Sequence, residues 1–154
     1  MVENEFTKIQ FRKRKVVCGD PQTCSGCRTC EVICSLRKEG AIDLSRSRIY
    51  VKSDPFTGSF FPIVCHQCAD APCYHACPAN AIEIEPAHGT FFVNEENCTG
   101  CGACEEACPF QAIRLDSEKQ KALKCDLCQG DPQCFQWCPM NALGVITYGG
   151  EIPK

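Results

Sequence analysis

The sequence predicts an α+β fold of short helices and β-hairpins, and three features predict it. Sixteen of its 17 cysteines fall into four quartets: Cys24, Cys27, Cys30 and Cys34; Cys65, Cys68, Cys73 and Cys77; Cys98, Cys101, Cys104 and Cys108; Cys125, Cys128, Cys134 and Cys138. A short phrase recurs at the end of three of them: C-P-A-N-A-I from Cys77, C-P-F-Q-A-I from Cys108 and C-P-M-N-A-L from Cys138. That is an internal repeat. Between the quartets lie short alternating runs split by turn residues, the pattern of hairpins.

The third quartet reads Cys98-Thr-Gly-Cys101-Gly-Ala-Cys104-Glu-Glu-Ala-Cys108-Pro109, a C-x2-C-x2-C-x3-C-P spacing. This is the known ligand run of bacterial-type iron–sulfur proteins. Three thiols at i, i+3 and i+6 on a tight loop can wrap one 4Fe–4S cluster. The fourth lies a helical turn further on and points to another. Gly100 and Gly102 allow positive φ and turn backbone N–H groups toward sulfur. Pro109 ends the helical turn. A disulfide framework wants an even cysteine count and an oxidising compartment, whereas this count is odd and no export signal is visible. Structural zinc, as in a zinc-stabilised assembly module, wants C-x-x-C pairs set apart by longer spacers. Four compact quartets point instead to four 4Fe–4S clusters.

Composition agrees. Cysteine inflates the hydrophobic fraction of 44%; without it about 33% is apolar, below the usual range. Clusters must stand in for part of the core, so the apo-chain should be largely unfolded. The formal charge of −3 treats cysteine as neutral. Four oxidised clusters on deprotonated thiols take it to about −11, which disfavours nucleic acid and anionic membrane as partners. No apolar run is long enough to span a membrane and no targeting segment is visible, so a reducing cytoplasm, in an anaerobic setting, is expected.

In chain order, Ile9, Phe11, Val16 and Val17 suit a short strand, and the basic run at 12–15 a solvated strand edge. Cys18 is left over and reads as a buried or idle thiol. Ser35 replaces the proline found after the other quartets, so a helix can run on to Gly40, a natural stop. Residues 41–64 form an insert: a strand at 48–52, a turn at 54–58 and a strand at 59–64. Its Phe56, Phe60, Phe61 and Ile63 offer docking surface. A strand at 82–85, a turn at 86–89 and a strand at 90–93 follow, then a strand at 112–115, a polar turn at 116–120 and a return strand. Val145 to Tyr148 form the last strand. The Ala-Ile or Ala-Leu pair after each Cys-Pro is placed to pack against a cluster. His66, His75 and His88 take loop, packing or surface roles, because each cluster already has four cysteines. Trp137, Tyr74 and Phe135 flank ligands and should pack over sulfur.

The chain resembles the four-cluster iron–sulfur electron-transfer subunits of the dimethyl-sulfoxide-reductase type. Within these it is most similar to the small ferredoxin-like subunits that accompany tungsten-dependent aldehyde oxidoreductases. The resemblance covers about residues 18–148. It rests on the four quartets, the longer loops of the second and fourth, Cys34 to Gly40 with Ser47-Arg48-Ile49, and Val64 to Cys73. It implies a duplicated bacterial-ferredoxin-like fold, a single unit over residues 1–154 whose two interleaved halves pair quartets 24–34 with 125–138 and 65–77 with 98–108. It also implies crossed ligation. Cys24, Cys27 and Cys30 share a cluster with Cys138; Cys125, Cys128 and Cys134 take Cys34. Cys65, Cys68 and Cys73 take Cys108; Cys98, Cys101 and Cys104 take Cys77.

No nucleophile, acid–base pair or open metal position is recognisable, so the chain reads as a non-catalytic relay. It is expected to pass electrons from a tungsten- or molybdenum-pterin catalytic subunit to a second partner, such as a flavin subunit or a ferredoxin. Alternatives are a free polyferredoxin, or the equivalent subunit of a formate dehydrogenase, hydrogenase or carbon monoxide dehydrogenase. Self-association through end clusters is a further possibility.

Overall fold

A computed structural model describes residues 14–148. Its strands form four two-stranded antiparallel sheets. One joins the ends of the described chain: β1 (Arg14–Gly19) pairs with β8 (Leu143–Tyr148), Gly19 opposite Leu143. Val17 lies buried at its centre. Ile9, Phe11 and the first two residues of the basic run, Arg12 and Lys13, lie outside the described residues. β8 starts two residues earlier than expected, because Leu143 already pairs.

Helix α1 (Thr29–Glu39) stops where the sequence says it should. Gly40 is left-handed at φ 71° and its N–H returns to the Leu36 carbonyl. Arg37 and Lys38 in the last turn suit the negative end of the helix dipole. The other helices are single turns: α2 (Pro72–Ala76), α3 (Ala103–Ala107) and α4 (Gln133–Gln136). Cys77 and Cys108, each preceding a proline, are extended at ψ 110°, as the proline ring requires.

The insert folds as a 3-10 turn (Leu44–Arg46) and a hairpin, β2 (Tyr50–Ser53) on β3 (Phe60–Ile63). The Asp54 carboxylate accepts from the Phe56 N–H and the Thr57 hydroxyl, which fixes the hairpin turn. β4 (Ile82–Glu85) pairs with β5 (Thr90–Val93) at the expected positions. β6 (Arg114–Asp116) pairs with β7 (Lys121–Leu123). β6 begins two residues late, because Gln111 is left-handed at φ 54° and Ala112 is still committed to the turn over Cys108.

Two buried groups form the core. Val17, Ile49, Val51, Val64, Leu127 and Leu143 pack with Cys30, Cys34 and Cys134. Ala71, Ile82, Phe91, Ile113 and Ala122 pack with Cys73 and Cys104. The first and last quartets thus share one core and the middle two share the other. Polar contacts tie the two together. Arg114 donates to the Ser47 carbonyl at 2.7 Å, Arg46 Nε lies 2.9 Å from Asp116, and Lys119 reaches Glu39 at 2.5 Å. Among the described residues no helix is long and apolar enough to cross a membrane.

Candidate iron–sulfur centres

The sixteen quartet cysteines line four cavities, four to each. Cys24, Cys27, Cys30 and Cys138 line the first. Cys34, Cys125, Cys128 and Cys134 line the second. Cys65, Cys68, Cys73 and Cys108 line the third, and Cys77, Cys98, Cys101 and Cys104 the fourth. None of the 17 cysteines is in a disulfide. Cys18 stands apart, its thiol 3.6 Å from the Gly144 carbonyl.

The helices explain the crossing. The third and fourth cysteines of each quartet are four residues apart, at opposite ends of one helical turn. Cys30 and Cys34 on α1 therefore face the first and second cavities. Cys134 and Cys138, in and just after α4, face the second and first. Around α2, Cys73 faces the third cavity and Cys77 the fourth; around α3, Cys104 faces the fourth and Cys108 the third. The loop that wraps each cavity needs a left-handed residue two after the first cysteine. Gly26 and Gly100 supply it at φ 72° and 70°, while Gln67 and Leu127 adopt it at φ 48° and 56°.

The chemistry of the donor set fits a cluster. Every fourth cysteine accepts a backbone N–H at sulfur. Ala81 donates to Cys77 at 3.2 Å, Ala112 to Cys108 at 3.4 Å and Ala142 to Cys138 at 3.3 Å. In each, the preceding residue (Asn80, Gln111 or Asn141) is left-handed and turns that N–H back onto the cysteine. Cys34 has no such turn; Arg48 N–H donates to it at 3.2 Å. Cys65 and Cys125 each accept from the residue two ahead, Gln67 and Leu127, at 3.4 Å. N–H groups aimed at sulfur are best matched by thiolates. Among the described residues no set of three His, Cys, Asp or Glu side chains closes on a single metal ion. The four sulfurs instead border one shared cavity in each case, the arrangement that a multi-atom group needs.

Burial works against ionising these thiols on their own. It pushes Cys30 and Cys134 up to about 12, with Glu31 adding to the first and Cys34 to the second. It pushes Cys73 and Cys104 to about 11, and Cys125 well above its ordinary value. Cationic iron is what could hold so many thiolates together, so loading the sites must release protons.

The Ala-Ile and Ala-Leu pairs lie where the sequence puts them. Ala81 and Ile82 line the fourth cavity, Ala112 and Ile113 the third, Ala142 and Leu143 the first, all buried. His66 stacks on Phe110 at 3.9 Å beside the third cavity, and His75 meets Asp70 at 3.0 Å. Tyr74 packs against the buried Phe91. Phe135 and Trp137 differ from expectation: they are exposed and do not pack inward over sulfur. The turn of α4 points Cys134 inward, which leaves Phe135 and Trp137 on its outer faces.

Three residues near the cavities escaped the sequence reading. Arg48 supplies the Cys34 donor. Gln67 accepts the Phe91 N–H at 2.7 Å and donates to the Phe91 and Cys125 carbonyls at 3.2 and 2.7 Å. Lys124, buried, donates to Cys65 sulfur, the Phe91 carbonyl and the Cys125 carbonyl. A charged residue directly before the first cysteine of a quartet was the available signal.

Residues 56–147 match the 4Fe–4S dicluster domain family. The chain belongs to that family. This dicluster-family chain is similar to the polyferredoxin-like subunit of aliphatic sulfonate oxidoreductase from Pyrococcus furiosus, 48% identical over 82% of this chain and 75% of the relative. One chain of the anaerobic dimethyl sulfoxide reductase of Haemophilus influenzae is 33% identical over 80% of this chain and 69% of its own. Among solved structures, the active-site complex BamBC of benzoyl coenzyme A reductase as isolated contains a chain 30% identical. It aligns with a TM-score of 0.57 over 93% of this chain and 82% of that one. The chain is thus a small ferredoxin-like iron–sulfur domain of short helices and hairpins, with relatives that are subunits of oxidoreductases.

Proposed function

We propose that the chain relays single electrons along a file of four 4Fe–4S clusters between a catalytic subunit and a second redox partner. The ligand sets are the four that line the cavities: Cys24, Cys27, Cys30 and Cys138; Cys34, Cys125, Cys128 and Cys134; Cys65, Cys68, Cys73 and Cys108; Cys77, Cys98, Cys101 and Cys104. A bound cluster of this kind accepts and returns one electron without binding substrate. Two interleaved ferredoxin-like halves, related by duplication, account for the paired cores.

The observation that carries the reading is where the ligands meet solvent. Cys27 in the first cavity and Cys101 in the fourth are exposed; no ligand of the second or third is. The cavities are linked in the order first, second, third, fourth. α1 and α4 join the first to the second. Lys124 and Gln67 join Cys65 of the third to Cys125 of the second. α2 and α3 join the third to the fourth. An open ligand at each end and closed ones between them suit entry, passage and exit.

The relatives' names support a catalytic partner. By resemblance it is a tungsten- or molybdenum-pterin subunit of the aldehyde oxidoreductase kind, with a flavin subunit or ferredoxin beyond. The insert at 41–64, which carries the exposed Phe56 at its hairpin tip while Phe60 packs on the core, is the docking surface in this reading. Anaerobic purification from the native source tests it. The chain should co-elute with a larger pterin-containing polypeptide, and its clusters should be reduced when that subunit's substrate is added. A lone small species, never reduced by a co-purifying enzyme, would instead make it a free polyferredoxin.

A further inference from the structure

Lys124 lies at the seam between the two cores, between the second and third cavities. Its ammonium is 2.9 Å from the Phe91 carbonyl, 3.3 Å from the Cys125 carbonyl and 3.3 Å from the Cys65 sulfur. Those three acceptors use all three of its N–H groups. Two are carbonyls and one is sulfur; none is a carboxylate. The residue is only 5% exposed. A buried ammonium is costly unless negative charge lies close by. Here the third cavity's thiolates supply that charge. Gln67 holds the two carbonyls in place through its own bonds to Phe91 and Cys125.

We propose that Lys124 is a potential-setting residue: it raises the reduction potential of the cluster held by Cys65, Cys68, Cys73 and Cys108, and so keeps the middle of the file passable. The inference rests on the four-cluster relay reading. Reduction adds one negative charge beside the apolar side chains of Ala71, Phe91, Ala112 and Ile113. Such surroundings oppose the added charge and pull the potential down. A fixed ammonium on a ligand sulfur opposes that pull. The exposed Cys27 and Cys101 give the end clusters water instead, and among the described residues Lys124 is the lysine bonded to a ligand sulfur. Lys124 acts through Cys65, not by exchanging electrons itself.

The test is a dithionite titration of the full-length, anaerobically prepared holoprotein, followed by electron paramagnetic resonance. Lys124→Met removes charge and bonds; Lys124→Gln removes the charge but keeps a donor. The signal to follow is the one that Cys68→Ser alters. In both Lys124 variants its reduction equilibrium should move at least tenfold toward the oxidised form, about 59 mV for one electron. The end clusters should move much less, and Lys124→Arg should restore most of the shift. Unmoved midpoints at full iron content would overturn the proposal. So would loss of iron in both variants, which would make Lys124 a folding residue. Fewer than four clusters in the unaltered protein would count against the relay reading instead.

Discussion

The two pairs of quartets solve one problem in two ways. In the middle pair, both fourth cysteines are followed by proline. The helix ends at once, a left-handed residue follows, and the N–H of Ala81 or Ala112 bonds the cysteine sulfur four residues back. In the outer pair only Cys138 does this. After Cys34 the chain has Ser35, so α1 runs to 11 residues and the sulfur's N–H comes from Arg48, fourteen residues on. Ser35 is fully buried; its hydroxyl donates to the Val32 carbonyl and accepts the Asp43 N–H. The sulfur's donor is the requirement, and a local turn or a distant insert can meet it.

The largest effect should come from removing the metal from both halves together. Stripping iron with a chelator under reducing conditions should abolish cooperative unfolding and most native circular dichroism, because the cavities then hold buried thiols with no charge to gather them. An apo-chain with a native spectrum would break the parallel between the halves, since their cores would then stand without clusters.

Next comes Ser35→Pro, which imposes the middle-pair solution on the outer pair. It removes an interior helix bond at a cost of about 3 kcal/mol or more and displaces Arg48 from Cys34. Iron content should fall by about one cluster's worth of four, measured by metal analysis. Pro109→Ser, the reverse change in the middle pair, should keep its iron, because the Ala112 donor is local.

The insert's attachment gives a pH prediction. Glu39, 7% exposed at its side chain, pairs with Arg48 and Lys119. Burial raises its pKa, but the bonds from Lys119 and Arg48 outweigh burial and hold it below the usual carboxylate value. A carboxylate lowered on folding stabilises the protein above its unfolded pKa, and that stability is lost as pH falls through the lower folded value. Glu39→Gln should therefore cost about 1 kcal/mol at neutral pH, because Lys119 is part-exposed. The gap to wild type in anaerobic denaturant unfolding should close below about pH 4. A gap that stays constant with pH would mean the ion pairs do not hold the insert.

A difference of the same size separates matched glycines. At Gly100 a Cβ would sit 2.3 Å from the Gln120 carbonyl oxygen, which is backbone; at Gly26 it would meet the Phe60 ring at 2.5 Å, a side chain that can turn. Both positions also carry the left-handed strain of a non-glycine residue. Gly100→Ala should cost about 2–3 kcal/mol and Gly26→Ala about 1 kcal/mol less. Equal losses by thermal melting would show that both loops relax alike.

What was legible in the sequence was local. The C-x-x-C spacing, the Cys-Pro stops, Gly40 as a helix end and the 82–93 hairpin all depend on residues within a few positions. What was not legible was contact across the chain. Nothing near Val17 says that it pairs with Val145. Arg48 and Lys124 have the composition of surface residues and act on sulfurs 14 and 59 positions away. Phe135 and Trp137 look like core aromatics, but Cys134 takes the buried face of their turn and leaves them outside.

Four clusters on sixteen thiolates are what every step of the relay depends on, and metal and sulfide analysis of the anaerobically purified chain decides the matter. It should hold about 16 irons and about 16 acid-labile sulfides per chain. About 8 of each, or zinc without sulfide, would contradict it.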